Sequence, residues 1–178
     1  MYPRTLTLLA LLLAVTRAGA QSPLATTDSA THAVDGWIYG FSLGLPGYGR
    51  TPSPELFTFG VNFTQLRPGH VGFDFSLGTI PRVAVEGLVP IGVRAGVALP
   101  LAAAPHLLVI PSAGVSGIVA FGPEGSAGLG GVNAGIATVA HVGSLGLRTG
   151  ATWHHFQGAQ GAIWLLEIGF VSVPSGTP

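Results

Sequence analysis

Residues 37–45 read WIYGFSLGL, and the alternation within this stretch determines the fold assignment. Large apolar side chains occupy the odd positions from Trp37 to Leu45, whereas positions 40, 42 and 44 hold glycine or serine. Successive side chains of a β-strand point to opposite faces of its sheet. The stretch therefore predicts a strand with one bulky apolar face and one small, polar face.

The same period-two pattern returns along the rest of the chain. It is strong in most segments, weaker at 107–119, and interrupted by Leu165 in the last segment. Eight strands are the smallest usual number for a barrel that spans a membrane. The predicted strands are 37–45, 56–64, 72–78, 91–99, 107–119, 131–142, 144–155 and 162–171.

Composition excludes an ordinary water-exposed surface. Only 8% of the residues are charged and lysine is absent, whereas a soluble domain has about a quarter of its residues charged. The long uncharged stretch 95–123 is interrupted by prolines and glycines, which break helices. A closed β-barrel is the other structure that satisfies its backbone in lipid. The sequence thus predicts an all-β, eight-stranded, antiparallel, up-and-down transmembrane β-barrel.

A soluble β-sandwich or lipocalin-like barrel is the alternative, because its strands also alternate. Such a protein places its bulky apolar residues inside and its charges outside. Here the second face is mostly glycine and serine, with repeated pairs such as Gly92 and Gly96. Small residues on that face suit a narrow, curved barrel, so the membrane barrel is favoured.

The N-terminal residues predict a secreted protein of the bacterial envelope. One positive charge in 1–4, an apolar run at 5–15 and small residues at 18–20 are typical of a cleaved signal peptide. We expect a signal peptide at 1–20, a flexible periplasmic leader at 21–35, the barrel at 36–173 and a tail at 174–178. The chain contains no cysteine, so no disulfide can form, and because no cysteine follows the predicted cleavage site we expect no lipoprotein anchor. The predicted location is the bacterial outer membrane.

Four charged residues fall on the small, polar face of the predicted strands. Inside a barrel each would be cut off from bulk water and would need a partner of opposite sign. Consecutive strands supply the expected pairs, Asp74 with Arg94 and Arg148 with Glu167. A gated lumen is one interpretation, but eight strands enclose only enough space for side chains, so a plug of ion pairs is favoured.

An even number of strands puts both termini on one side, which we take to be the periplasm. The predicted outer loops are 46–55, 80–88, 122–128 and 156–161, and the periplasmic turns are 67–70, 100–106 and 141–144. Trp37 then lies near the periplasmic interface, and Trp153 and Trp164 lie near the outer one. This placement is typical of the aromatic belts of membrane barrels.

Paired histidines stand in the last predicted hairpin, where residues 150–170 read GATWHHFQGAQGAIWLLEIGF. The period-two alternation assigns His154 to the lumen and His155 to the lipid-facing side, near the headgroups. A histidine at that position commonly serves as a polar residue at the membrane interface. The other histidines are scattered, so no metal site and no cofactor is predicted. Without its signal peptide the chain has five arginines and seven acidic residues. This net negative charge predicts no positively charged surface for binding nucleic acid.

The stretch LRTGATWHHFQGAQGAIWLLEIGFVSV at 147–173 resembles the closing hairpin of the lipid A deacylases, or acyloxyacyl hydrolases. The resemblance implies a small eight-stranded barrel with its active site on the outer wall, and it assigns the catalytic histidine to His155. The family's serine nucleophile position holds Gln157 here, and an amide cannot form an acyl-enzyme. Glu167 lies on the opposite face from His155.

Two hypotheses follow. The preferred one is a non-catalytic outer-membrane barrel with a structural or surface-presentation role. The alternative is a divergent lipid A deacylase-like hydrolase that acts on lipopolysaccharide acyl chains through His155. In both cases the expected partners are outer-membrane lipids, including lipopolysaccharide, and the barrel-assembly machinery during insertion, with no nucleic acid.

Overall fold

The protein is described by a computed structural model over residues 36–67, 70–85, 87–159 and 161–174. The predicted signal peptide, the leader and residues 175–178 of the tail lie outside these ranges. A 3-10 turn covers Pro54–Leu56 and a short helix, α1, covers Pro81–Val85. None of the helices in these ranges is long and apolar enough to cross a membrane. The strands are β1 (Gly36–Tyr48), β2 (Thr51–Pro52), β3 (Thr58–Leu66), β4 (Gly72–Thr79), β5 (Val89–Ala98), β6 (Leu101–Ala104), β7 (Leu107–Gly122), β8 (Gly125–Val142), β9 (Leu145–Phe156) and β10 (Ile163–Ser172).

Eight long strands form a closed antiparallel barrel, as the alternation predicts. The wall runs in the order β1, β3, β4, β5, β7, β8, β9 and β10, and each strand pairs with the next. Strand β10 returns to β1 in a register from Tyr39 opposite Ser172 to Tyr48 opposite Ile163. Closure leaves no free edge along the shared length of the wall, so the backbone polar groups are satisfied between strands.

The outer surface of the barrel carries its bulky apolar side chains. Phe41 and Leu43 are 48% and 51% exposed, whereas Ser42 between them is 3% exposed. Aromatic rings also meet across strands on this surface, as at Phe63 and Phe75, whose centroids are 6.2 Å apart. A soluble barrel has the reverse arrangement. The prediction of a transmembrane barrel over a soluble one is therefore confirmed.

The lumen is apolar at one end, which we call the closed end. This is where β1 begins and β10 ends. Side chains from β1, β3, β5, β7, β8 and β10 meet there and shield one another from solvent. The opposite end, where the β4–β5 and β9–β10 connections lie, is called the open end. The cluster at the closed end consists of Ile38, Leu66, Ala98, Leu108, Ile110, Ala137, Val139, Val171 and Val173.

In the predicted outer loop 46–55, β1 continues to Tyr48 and β2 covers Thr51–Pro52. Two further predicted connections also differ from the structure. Residues 125–128, predicted as part of an outer loop, continue β8, which pairs with β7 as far as Gly122 opposite Gly125. The predicted turn at 100–106 contains β6, which pairs with the start of β7. In both places glycine, proline and alanine weaken the local strand signal, and pairing with the long β7 supplies the hydrogen bonds that keep the backbone extended.

Candidate functional site

Four charged side chains lie together in the lumen at the middle of the barrel. Asp74, Arg94, Arg148 and Glu167 project inward from β4, β5, β9 and β10, and their side chains are 3–7% exposed. Arg94 Nε is 3.6 Å from Asp74 Oδ2, and Arg94 Nη1 is 3.2 Å from Glu167 Oε2. Arg148 Nη2 is 3.9 Å from Asp74 Oδ1. These four residues are called the lumen cluster.

The pairing of Arg148 differs from the sequence expectation. Among the described residues, Arg148 forms its ion pair with Asp74 across the lumen, and not with Glu167 on the neighbouring strand. Glu167 instead pairs with Arg94. A narrow barrel allows this because side chains that point inward from distant strands converge near the axis, where they can be closer than diagonal neighbours on adjacent strands.

Hydroxyl and amide side chains surround the lumen cluster. Thr64 Oγ1 donates to Asp74 at 2.7 Å and accepts from Arg148 Nη1 at 3.0 Å. Arg94 Nη1 donates to Thr152 Oγ1 at 2.8 Å. These bonds offset part of the free energy lost when charged groups leave water. The alternation places Thr64 and Thr152 inside, but it does not show which charge each would contact.

A second series of hydrogen bonds connects β3 to Glu167 through Ser42. Asn62 Nδ2 donates to Ser42 Oγ at 2.8 Å, and Ser42 Oγ donates to Glu167 Oε1 at 3.3 Å. With two acids and two arginines, the lumen cluster carries no formal net charge. A neutral, internally paired cluster is the arrangement that a low-dielectric lumen tolerates best.

A cavity of about 280 Å³ lies between the lumen cluster and the open end. His154 lines it and is hydrogen-bonded through Nδ1 to Ser116 Oγ at 2.9 Å. Asn133 Nδ2 donates to the same hydroxyl at 2.8 Å, and the His154 ring is parallel to that of Phe156 with centroids 5.9 Å apart. His154 therefore belongs to the lumen and not to the outer wall.

His155 lies on the outer face and is exposed, opposite Val132 of β8. Within the described ranges it makes no hydrogen bond or ion pair. Gln157 is exposed in the turn that follows β9, and Glu167 lies in the lumen on the other side of the wall. Among the described residues, neither Gln157 nor Glu167 therefore provides His155 with a hydroxyl nucleophile or with an acid on the same face that would orient its ring.

The three tryptophans lie at opposite ends of the wall. Trp37 is exposed near the closed end. Trp153 and Trp164 face each other across β9 and β10 near the open end, where Trp164 Nε1 donates to the Gly49 carbonyl at 3.0 Å. An indole with an apolar ring and a satisfied N–H suits a membrane interface. Their role as aromatic belts stays a prediction.

Two histidines that are far apart in sequence meet at the closed end. His106 lies just before β7 and His141 lies near the end of β8, and their ring centroids are 5.5 Å apart. The two residues are far apart in the sequence, which gives no sign of the contact. The antiparallel pairing of β7 with β8 brings them together. Across the part of the chain that the structure describes, no three histidine, aspartate or glutamate side chains are grouped to hold a metal ion.

The fold is similar to solved small membrane barrels. The N-terminal β-barrel domain of Pseudomonas aeruginosa OprF matches with a TM-score of 0.60 and 12% identity, over 79% of this chain and 98% of that chain. The attachment invasion locus protein Ail of Yersinia pestis matches with a TM-score of 0.51 and 9% identity, over 76% and 95%. A de novo designed transmembrane β-barrel matches with a TM-score of 0.50 and 14% identity, over 79% and 97%.

No protein-family model and no curated protein matches the sequence. At 9–14% identity the structural matches establish a shared fold. This chain therefore has the fold of the small, eight-stranded transmembrane β-barrels.

Proposed function

We propose that this protein is a structural barrel of the bacterial outer membrane, with no catalytic role. The observation that carries the proposal is the combination of an apolar outer wall with a lumen closed by its own side chains. Phe41 and Leu43 illustrate the wall, and Ile110 and Val139 illustrate the closed end. Closed barrels satisfy their backbone in lipid, and the natural proteins among the solved matches include a Yersinia pestis attachment protein and a Pseudomonas aeruginosa barrel domain.

The proposed partners are the lipids of that membrane. Lipopolysaccharide would contact the wall near the open end, where Trp153 and Trp164 flank the last hairpin. The barrel-assembly machinery would act during insertion. Strand β10 ends at Ser172 after an apolar outward row that includes Ile168 and Phe170, which are 54% and 52% exposed. That row supplies the lipid-facing surface of the last strand.

The finer resemblance to the lipid A deacylases concerns the hairpin around His155. An acyl hydrolase of that kind needs a nucleophile within hydrogen-bond reach of its histidine. The neighbouring Gln157 supplies none, and Glu167 faces the lumen. These observations favour a non-catalytic barrel over the deacylase alternative.

Membrane insertion is tested by gel mobility and extraction. A folded barrel in detergent should migrate differently before and after boiling, and it should remain with outer-membrane fractions after carbonate washing. A soluble species with the same mobility boiled and unboiled would contradict the membrane assignment.

The catalytic alternative is tested by lipid A mass spectrometry. We expect expression in a host of known lipid A structure to leave every acyl chain in place. Loss of an acyl chain that persists in Gln157→Ala and disappears in His155→Ala would overturn the non-catalytic proposal. Heat-dependent gel mobility of both variants controls for folding.

A further inference from the structure

Strand β8 is longer at the open end than its neighbour β9. It begins at Gly125, but β9 pairs with it only from Gly131 onward. Just beyond that pairing, the Gln157 N–H donates to the Gly130 carbonyl at 2.8 Å. Residues 125–130 are exposed and pair with β7 on one side, and among the described strands none pairs with their other side. These residues are called the free edge.

The hydrogen-bond pattern shows which backbone groups the free edge offers. In an antiparallel pair, the residues of a strand that bond to one neighbour alternate with those that do not. Gly122 and Gly125 flank the turn of the β7–β8 hairpin, so the odd residues of β8 bond to β7. The even residues point the other way, as the Gly130 carbonyl does towards the end of β9. Ser126 and Gly128 therefore direct two N–H donors and two carbonyl acceptors away from β7.

The free edge has none of the devices that usually keep a sheet edge from pairing. Natural proteins protect such edges with charged side chains, prolines or bulges. Here the sequence is GSAGLG, without charge or proline, and its register with β7 is regular. An unprotected edge of this kind accepts a further strand through its main-chain groups.

The hydrogen-bonding groups of the free edge are complementary to those of a second copy. When two copies pair antiparallel with Ala127 opposite its counterpart, Ser126 of each copy lies opposite Gly128 of the other. The Ser126 N–H then donates to the Gly128 carbonyl, and the Gly128 N–H donates to the Ser126 carbonyl. The same two bonds form in the other direction, so every outward donor and acceptor of Ser126 and Gly128 is paired.

Side chains and length also fit this register. Leu129 of one copy lies opposite Gly125 of the other, which leaves room for it. Glu124 lies opposite Gly130, where β9 begins to cover β8, so the pairing fills the free edge and ends there. The two Glu124 residues are separated by about 20 Å along the strands, more than the Debye length of about 10 Å. Like charges therefore do not oppose the contact.

The direction of β8 determines how the two copies are placed. In every copy β8 runs from the open end to the closed end, so copies in one membrane have this strand pointing the same way. Antiparallel pairing joins copies in two facing membranes. We propose that the free edge is a homotypic contact through which barrels in two facing membranes pair strand to strand. One such contact is smaller than a stable interface, and many copies acting together provide the strength.

Single cysteines test the register. The chain has no cysteine, so each introduced thiol is the only one present. In the proposed pair, Ala127→Cys lies within disulfide distance of its counterpart. Val119→Cys is also exposed on the hairpin, but on β7, and would lie about 14 Å from its counterpart, three strand spacings away. Under mild oxidation in detergent, we expect disulfide-linked dimers to form about tenfold faster in Ala127→Cys.

Vesicle clustering tests the contact between membranes. We expect phosphatidylcholine vesicles that contain the unmodified barrel to cluster, measured by dynamic light scattering. Gly128→Pro removes an N–H that donates only to the second copy, so clustering should be lost. Gly128→Ala keeps this N–H, and its Cβ would make only ordinary contacts of 3.6–3.8 Å, so clustering should remain. Labelling of Ala127→Cys with an impermeant maleimide measures how many open ends face outward.

Three results would overturn the proposal: equal rates of dimer formation in the two cysteine variants, clustering that persists in Gly128→Pro, or linked dimers in vesicles that do not cluster. The contact rests on the proposed function only through membrane insertion, which heat-dependent gel mobility tests separately for each variant. If Gly128→Pro does not fold, the cysteine comparison still decides, because it leaves the backbone of the free edge unchanged.

Discussion

At the scale of single residues, Arg94 connects most of the polar groups in the lumen. Its guanidinium contacts carboxylates on two strands, Asp74 on β4 and Glu167 on β10, and it also donates to Thr152 on β9. Each carboxylate would otherwise be a buried charge with fewer partners. The side chain thus holds together strands that are not neighbours in the wall.

Replacing Arg94 should destabilise the barrel strongly. Arg94→Met keeps a long side chain but leaves Glu167 without its ion-pair partner, and breaking a buried pair in this way costs about 3–5 kcal/mol. We expect a corresponding fall in the free energy of unfolding, measured by urea titration in lipid vesicles with tryptophan fluorescence.

Two further variants separate charge from packing. Arg94→Met combined with Glu167→Gln restores a neutral lumen, so it should recover more than half of the loss. Arg50→Met removes an arginine from the exposed turn after β1 and should change little. A double variant as unstable as Arg94→Met alone would show that packing of the arginine, and not its charge, provides the stability.

At the scale of elements, glycines set how closely the strands of the wall approach. Gly96 of β5 lies opposite Gly114 of β7. A Cβ on Gly96 would overlap the Ala113 carbonyl oxygen and would lie 2.8 Å from the Gly114 Cα. Four positions earlier on the same strand, a Cβ on Gly92 would have room. Glycine is thus sterically required at one of these positions and not at the other.

The two positions on β5 therefore predict opposite effects of the same substitution. Gly96→Ala should destabilise the barrel by about 1–3 kcal/mol, because the backbones of β5 and β7 must move apart. Gly92→Ala should be neutral or slightly stabilising, because alanine restricts the unfolded chain more than glycine does. Urea unfolding midpoints of the two variants check this, and equal midpoints would contradict the steric argument.

At the scale of the whole molecule, closure of the wall and closure of the lumen are separate features. The wall closes by β1–β10 pairing. The lumen closes by side chains, with the lumen cluster at mid-height and the apolar residues of the closed end beyond it. Ile110 and Val139 at that end are 1% and 0% exposed, so the path along the axis contains a dry segment.

We expect the barrel to conduct no ions. An apolar constriction filled by side chains excludes the water that an ion needs, and the lumen cluster adds a second barrier. Planar bilayer recordings should show no sustained single-channel openings, whereas a porin reconstituted in parallel gives steady current. Regular openings of fixed conductance would show that the side chains at the closed end move apart in the membrane.

The sequence alone determined the wall of this barrel. The strand number, the outward apolar face and the inward position of residues such as Asp74 and Arg94 follow from a period-two pattern that any barrel in lipid must obey. This information is local, because one strand length of sequence shows which side chains share a face.

Only the tertiary structure decided what those inward residues contact. Arg148 pairs with Asp74, His106 meets His141, and a cavity opens beside His154. Each of these arrangements depends on the register and curvature of strands distant in sequence. Period two gives the direction in which a side chain points, and closure of the barrel determines which side chain it meets.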